Sequence, residues 1–452
     1  MNQNLFYIET YGCTSNKADS LIISQILKNN GFHESAFEDA TFIIINTCAV
    51  KQQTENKIRT RLKLLYDQYR HEKDKHFIIA GCLPHIDSSY IKIVEQLIPN
   101  YAAILDLDNF ELLPSIMKRI LTGEQNIIIQ KEKVTDKAEI LINYPENKIT
   151  GILPISEGCL GACTYCCVKN ARGRLVCYNP ENIITNADSQ LRQGIKQIYL
   201  TSQDCSVYQY NSTTLSDLVS KIANLPFDFF LRIGMLNPKF LIEHLNQLES
   251  IFKHKKVYQF LHVPIQSGSD KILKLMNRPY KIASVKQNLE NLRKKFPNLT
   301  ISTDIITGFP GETEEDFKKS YELIEWLQPE ILNISKFTIR PGTAAKHMKQ
   351  LDSHIIKTRS IILSKLFRTY LKVLNRGWVG WEGIMLALHK GNMANQAFGR
   401  NYAYKNIFID DYTGDFGKFI PVKIVKVDGF NLFAHVIEGS GPVPSSQQVK
   451  LK

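Results

Sequence analysis

Three times in the first 120 residues, an apolar, β-prone run ends in a polar or glycine residue and then a cysteine. The runs are Leu5-Phe6-Tyr7-Ile8-Glu9-Thr10-Tyr11-Gly12-Cys13, Phe42-Ile43-Ile44-Ile45-Asn46-Thr47-Cys48 and Phe77-Ile78-Ile79-Ala80-Gly81-Cys82. A helix-compatible stretch follows each, most clearly Gln52 to Tyr69, so residues 1–120 predict strands and helices alternating around a parallel sheet. Loops at the carboxyl ends of such strands converge on one edge. Three thiols spaced 35 and 34 residues apart are expected to meet there.

Residues 121–150 are charged and polar around the isolated run Ile127 to Ile129, and read as a linker with room for an edge strand. Between 151 and 375 the alternation resumes. Ile152–Ile155, Lys196–Thr201, Phe229–Ile233, Tyr258–Val263, Thr300–Ile306 and Ile331–Phe337 look like strands, with amphipathic runs such as Ser284–Lys295 and Glu314–Trp326 between them. Such units predict a full or partial (β/α) barrel with its chemistry at the strands' carboxyl ends. From Gly377 the period shortens to Val-, Ile- and Phe-rich runs separated by Gly, Asp and Asn turns, predicting a small β-barrel over 376–442.

A length of 452 residues matches about three domains. With 44% hydrophobic and 22% charged residues, the chain is globular rather than disordered. Lys and Arg number 56 against 44 Asp and Glu, which favours an anionic partner such as nucleic acid. The excess is uneven: residues 1–120 are net −1, 121–375 net +10 and 376–452 net +3. No secretory start or membrane-length apolar run is visible, so a cytoplasmic protein is expected. Nine cysteines in that reducing setting argue for metal ligation or redox chemistry rather than disulfides.

The sharpest chemical signal is Gly158-Cys159-Leu160-Gly161-Ala162-Cys163-Thr164-Tyr165-Cys166. Cys-x3-Cys-x2-Cys in a glycine-containing loop suits an iron–sulfur cubane, whose fourth iron stays open to a substrate. Zinc is the weaker alternative, because no His or fourth Cys at zinc-finger spacing completes a tetrahedral site.

At these residues the sequence resembles the radical S-adenosylmethionine (SAM) superfamily, and within it the methylthiotransferases. The likeness covers nearly the whole chain: Tyr11-Gly12-Cys13 with Asn16 and Asp19-Ser20, Asn46-Thr47-Cys48-Ala49-Val50 with Thr54-Glu55, Ala80-Gly81-Cys82, the Cys159 cluster, and Gly308-Phe309-Pro310-Gly311-Glu312-Thr313. It is closest to the archaeal and eukaryotic branch that acts on N6-threonylcarbamoyladenosine in tRNA. The discriminating stretches are Glu157 to Gly173, Leu200 to Asp204, Arg232 to Pro238 and Leu261 to Ser267. The resemblance implies an α/β fold with a Rossmann-like amino-terminal domain, a radical SAM barrel and a carboxy-terminal TRAM (OB-like) RNA-binding domain.

It further implies two 4Fe-4S clusters, on Cys13, Cys48 and Cys82 and on Cys159, Cys163 and Cys166, with SAM as cosubstrate. The second set would open SAM to a 5′-deoxyadenosyl radical that takes hydrogen from C2 of the adenine; the first would hold or donate the sulfur, and a second SAM the methyl group. The implied partners are the tRNA anticodon stem-loop, an electron donor and a sulfur source. Two substrate alternatives keep the chemistry: isopentenyladenosine in tRNA, or a ribosomal-protein aspartate. A non-catalytic alternative is an iron–sulfur RNA-binding protein.

Supporting residues each carry a bland reading beside the functional one. Gly308, Gly311 and Glu312 would shape the SAM pocket, or simply form a turn and cap at Thr313. Gln266, Ser267 and Asp304 would meet SAM's polar groups, or satisfy backbone. Asn16, Asn46 and Glu55 would brace the first thiol set, or cap helices. Tyr165 is expected to shield the cluster or pack beside adenine. Arg172 and Arg174 are expected near tRNA phosphates, with surface ion pairs the competitor. Phe398 to Asn406 interleaves aromatic and basic residues and is expected to stack on unpaired bases. Cys167, Cys177 and Cys205 read as ordinary thiols.

Overall fold

The computed structural model describes residues 4–437, apart from 49, 51, 73, 88 and 130–134. Ala49 of the second cysteine motif, part of the 121–150 stretch and the last residues assigned to the terminal barrel lie outside the described residues.

The first unit is a parallel six-stranded sheet in the order His33–Glu34, Leu5–Thr10, Phe42–Thr47, His76–Gly81, Tyr101–Leu105, Ile127–Ile129. Helices cover both faces, which is why Phe42–Thr47 is buried at every position and reads as a continuous apolar run rather than an alternating one. Ile58, Leu62 and Leu65 of helix Gln52–Tyr69 recur at helical spacing and are fully buried in the same core.

Six parallel strands form the second unit. Thr150–Pro154, Gln197–Thr201 and Phe230–Arg232 make one half; Phe260–His262, Thr300–Thr307 and Ile331–Lys336 make the other. A single bridge between Leu231 and Val257 links the halves. No described pairing joins the two outer strands, so the barrel is partial. Ile198, Leu200, Leu231, Leu261 and Ile305 point into the core beneath the helices. Strand alternation therefore puts Tyr199, Arg232, Phe260, His262 and Asp304 on the inner face.

The third unit is a closed five-stranded barrel in the order Glu382–Lys390, Ala397–Asn401, Asn406–Ile409, Asn431–Val436, Phe419–Asp428. It docks against the amino-terminal ends of the larger barrel's strands. Gln259 N–H donates to Tyr402 O at 2.8 Å, the Thr300 hydroxyl donates to Ala403 O at 2.6 Å, and the Tyr199 and Tyr404 hydroxyls meet at 2.9 Å. This corrects the expectation for Phe398 to Asn406. Asn401, Ala403, Tyr404 and Lys405 are buried, so much of the stretch plugs the barrel floor instead of presenting a platform for RNA bases. The same flat rings and donors serve either purpose, and only the tertiary partner decides.

The first two units and the strap between them are joined by a buried charge quartet. Arg172 donates to Asp19 at 2.6 Å and to Glu157 at 2.7 Å, while Lys137 reaches the same carboxylates at 3.1 and 2.5 Å. All four residues are at most 5% exposed. Burial alone would raise the Asp19 carboxyl, but the two cations hold it below its ordinary value. Asp19 lies on the first helix, Lys137 in the strap, and Glu157 and Arg172 on either side of the second cysteine loop. The expected placement of Arg172 at tRNA phosphates is therefore wrong; only Arg174 is exposed. Arg340 makes a second tie, donating to Glu55 at 2.6 Å and to Gln52 at 2.8 Å.

Removing one member of the quartet strands its partners in a low-dielectric site. Arg172→Met is expected to cost about 3–5 kcal/mol, read as a lowered denaturation midpoint. An unchanged midpoint would contradict the burial of this network.

Candidate functional site

The first thiol set stands where three adjacent parallel strands end. Leu5–Thr10, Phe42–Thr47 and His76–Gly81 run in register, with Thr10 opposite Asn46 and Thr47 opposite Gly81, so Cys13, Cys48 and Cys82 leave the sheet at one edge. Gly12 has φ +119°, and a Cβ there would lie 2.7 Å from the Cys48 Sγ. Asn16 is fully buried; its amide donates to Thr47 O at 2.8 Å and its carbonyl accepts from the Cys13 thiol at 3.3 Å. Asn46 in turn donates to Asn16 O at 2.8 Å. Both asparagines thus brace the cysteine loops. Glu55 is engaged elsewhere, by Arg340 and by the Tyr90 hydroxyl at 2.9 Å.

Arg172 also belongs to this site, because its Nε donates to the Cys82 Sγ at 3.2 Å. Burial pushes the Cys82 thiol up to about 12 and also raises Cys48. Such thiols stay protonated by themselves; metal coordination would remove the protons.

The second set follows strand Thr150–Pro154 and the short pair Ser156–Glu157 with Val176–Cys177. Gly158 at φ +78° lets the chain pass against Arg174, whose carbonyl oxygen would sit 2.1 Å from an added Cβ. Gly161 N–H donates to Cys159 Sγ at 3.2 Å, and a Cβ on Gly161 would lie 3.2 Å from that sulfur and 3.9 Å from Cys163 Sγ. Arg278, which the sequence reading missed, brings Nη1 to 3.6 Å from Cys163 Sγ while donating to Pro264 O and the Tyr280 hydroxyl. Asn277 and Thr164 tie the loop to the turn after helix Asp270–Leu275 through Ala162 O and Leu275 O. Burial raises Cys159 and pushes Cys166 up to about 12.

Among the described residues no three His, Cys, Asp or Glu side chains, the cysteines of either set included, stand close enough to hold a single ion. Soft thiols, N–H donors and guanidinium groups aimed at sulfur, and glycines where a Cβ would intrude all fit a larger anionic cluster at each set. Cys167 and Cys205 are buried, and the half-buried Cys177 sulfur accepts from Gln209 N–H at 3.4 Å.

The remaining site residues lie around the barrel mouth. Gln266 adopts φ +75° and exchanges backbone hydrogen bonds with Asp304 and Ile306. Asp304 meets His262 at 3.0 Å on the inner face. Ser267 is fully buried and accepts from Ser269 N–H at 3.2 Å. Glu312 accepts from Arg359 at 2.6 Å and from Gly308 N–H at 2.8 Å, and so holds the loop. Gly308 and Gly311 both have positive φ. Phe309 of this loop and Tyr165 meet in a T-shaped pair at 6.3 Å between ring centres, which shows what Tyr165 packs against.

Residues 153–324 match the radical SAM superfamily model and residues 5–101 match a model described as uncharacterized protein family UPF0004. Among solved structures, the radical S-adenosylmethionine methyltransferase TsrM from Kitasatospora setae is similar in fold alone, with TM-score 0.56 at 12% identity over 76% of this chain and 75% of that one. Curated relatives are much nearer. A probable threonylcarbamoyladenosine tRNA methylthiotransferase of Pyrococcus horikoshii is 35% identical over 95% of this chain and 99% of its own. One from Archaeoglobus fulgidus is 36% identical over 92% and 95%, and the Xenopus laevis threonylcarbamoyladenosine tRNA methylthiotransferase is 31% identical over 97% and 77%. With this identity along almost its whole length, and with thiols gathered at both barrel mouth and sheet edge, the chain belongs to the threonylcarbamoyladenosine tRNA methylthiotransferase family of the radical SAM superfamily.

Proposed function

We propose that this enzyme places a methylthio group on C2 of N6-threonylcarbamoyladenosine at tRNA position 37. The observation that carries the reading is the pair of separate three-thiol sites linked by Arg172. When bound, two 4Fe-4S clusters and SAM supply the electron, the 5′-deoxyadenosyl radical, the sulfur and the methyl group. The chain's own task is to hold these reagents apart and dry. With a cluster bound, Cys159, Cys163 and Cys166 would present thiolates at the barrel mouth, with Arg278 offsetting their charge. Cys13, Cys48 and Cys82 would present the other three at the sheet edge, where Arg172 would do the same. Gln266, Asp304 and the Gly308–Thr313 loop shape the space between for SAM. An external electron donor and sulfur source complete the turnover. No helix among the described residues is long and apolar enough to cross a membrane, and a cytoplasmic setting suits nine free thiols.

Archaeal and eukaryotic relatives alike carry the threonylcarbamoyladenosine name, which supports this substrate over isopentenyladenosine or a ribosomal-protein aspartate. The test is nucleoside analysis of tRNA from a host lacking the activity. Adding this protein should produce 2-methylthio-N6-threonylcarbamoyladenosine; methylthiolated isopentenyladenosine, or no new nucleoside, would refute the reading.

With Arg172 buried and Phe398 to Asn406 largely in the barrel floor, the tRNA backbone needs another surface. Helix Ser353–Arg376 supplies one: it holds six Lys and Arg and no Asp or Glu. Lys357, Lys365, Arg368, Lys372 and Arg376 are exposed along one face, and none forms an ion pair with a described residue. The helix starts at the catalytic mouth, where Arg359 binds Glu312, and ends at the small barrel, where Asn375 donates to Gly429 O at 3.0 Å. The stripe from Lys357 to Arg376 is about 28 Å long. Beside it, Arg368, Lys372 and the half-exposed ring of Phe430 line a groove of about 470 Å³ suited to an unpaired base and its phosphate.

Replacing Lys365, Arg368 and Lys372 with Gln should weaken tRNA binding at least ten-fold and flatten the salt dependence by about two to three logarithmic units per decade. Gln at the exposed Lys57, Lys92 and Lys118 should do neither. Equal effects of the two sets in filter-binding titrations would show a general charge effect and reject this surface.

A further inference from the structure

Three of the buried guanidinium groups, those of Arg172, Arg340 and Arg359, meet a carboxylate at 2.6 Å, and the fourth, Arg278, donates to Pro264 O, the Tyr280 hydroxyl and Cys163 Sγ. The partly buried Arg232 and Arg400 meet no carboxylate. Arg232 stands on the inner face of the large barrel, its Cζ 4.8 Å from the Phe260 ring centre, 5.0 Å from Tyr199 and 5.3 Å from Tyr404. Arg400 comes from the small barrel and lies over the same Tyr404 ring at 3.6 Å. Arg232 Nε and Arg400 Nε and Nη1 are buried with no hydrogen-bond partner among the described residues, and neither side chain forms an ion pair there. Aromatic faces compensate a buried cation only in part, and two like charges sharing one box repel. An anion between them would satisfy both the charge and the idle N–H groups.

We propose that Arg232 and Arg400 form a carboxylate site on the barrel floor that reads the threonyl carboxylate of the modified adenosine. The proposal rests on the functional reading above and deepens it. An adenine admitted at the strands' carboxyl ends, with C2 held near the two thiol sites, can send its N6 substituent down the lumen past His262 and Asp304. Planar guanidinium forks match a carboxylate through paired N–H···O bonds. An isopentenyl substituent has no acceptor to offer them and would leave both cations unpaired, so the same two residues would set substrate choice.

The test compares anticodon stem-loop RNAs carrying N6-threonylcarbamoyladenosine or its methyl ester, using the full-length reconstituted enzyme. Binding is read by fluorescence anisotropy without SAM, and conversion by nucleoside mass spectrometry with it. The acid should bind at least ten-fold tighter than the ester. Arg232→Gln combined with Arg400→Gln should bring that ratio near one, while Arg232→Lys should restore part of it; a merely structural pair would weaken both RNAs alike. Equal binding and conversion of acid and ester by the unaltered enzyme would overturn the carboxylate site and leave the proposed activity standing. Failure to convert either RNA would overturn the proposed activity, and this inference with it.

Discussion

Charges leave water only when their partners leave with them. Asp19, Lys137, Glu157 and Arg172 do so together, from three separate parts of the chain. No subset is neutral and fully satisfied, so helix, strap and cysteine loop must dock at once. Because Arg172 also donates to Cys82, while Glu157 lies two residues before Cys159, the quartet fixes one thiol site relative to the other. Chemistry divided between two sites needs such rigidity, since a small misplacement of the reacting groups is costly. The strap residues 121–150 therefore do more than connect: Ile127–Ile129 completes the sheet, Lys137 enters the quartet and Ala138 lies in the barrel's core.

Much of this was legible in the sequence because it depends on local pattern. Continuous runs such as Phe42 to Thr47 announce strands covered on both faces, and the six barrel strands fall where apolar stretches alternate with amphipathic ones. A cysteine directly after each strand end must emerge at the same sheet edge. Asn16 and Asn46 stood out by position beside those cysteines, and their hydrogen bonds explain why amides are useful there.

What the sequence hid is what depends on partners far along the chain. Arg172 follows a cysteine loop beside other basic residues and looks solvent-facing; the carboxylate that buries it, Asp19, lies 153 residues away. Phe398 to Asn406 has the composition of an RNA-stacking strand, yet Tyr404 caps a barrel whose walls come from residues 150–336. Arg278 reaches Cys163 across 115 residues. In each case the side chain's chemistry was readable and its counterpart was not. The long basic helix is the converse: its charge pattern is plain, but its course from catalytic mouth to small barrel appears only in three dimensions.

Two distinct metal sites held by one interface are what the proposed chemistry requires. Iron-edge anomalous diffraction from crystals of the anaerobically reconstituted protein tests this most directly. It should show two separate iron centres, one bound by Cys13, Cys48 and Cys82 with Arg172 beside Cys82, the other by Cys159, Cys163 and Cys166. A single centre, or iron bound by any other cysteine set, would contradict it.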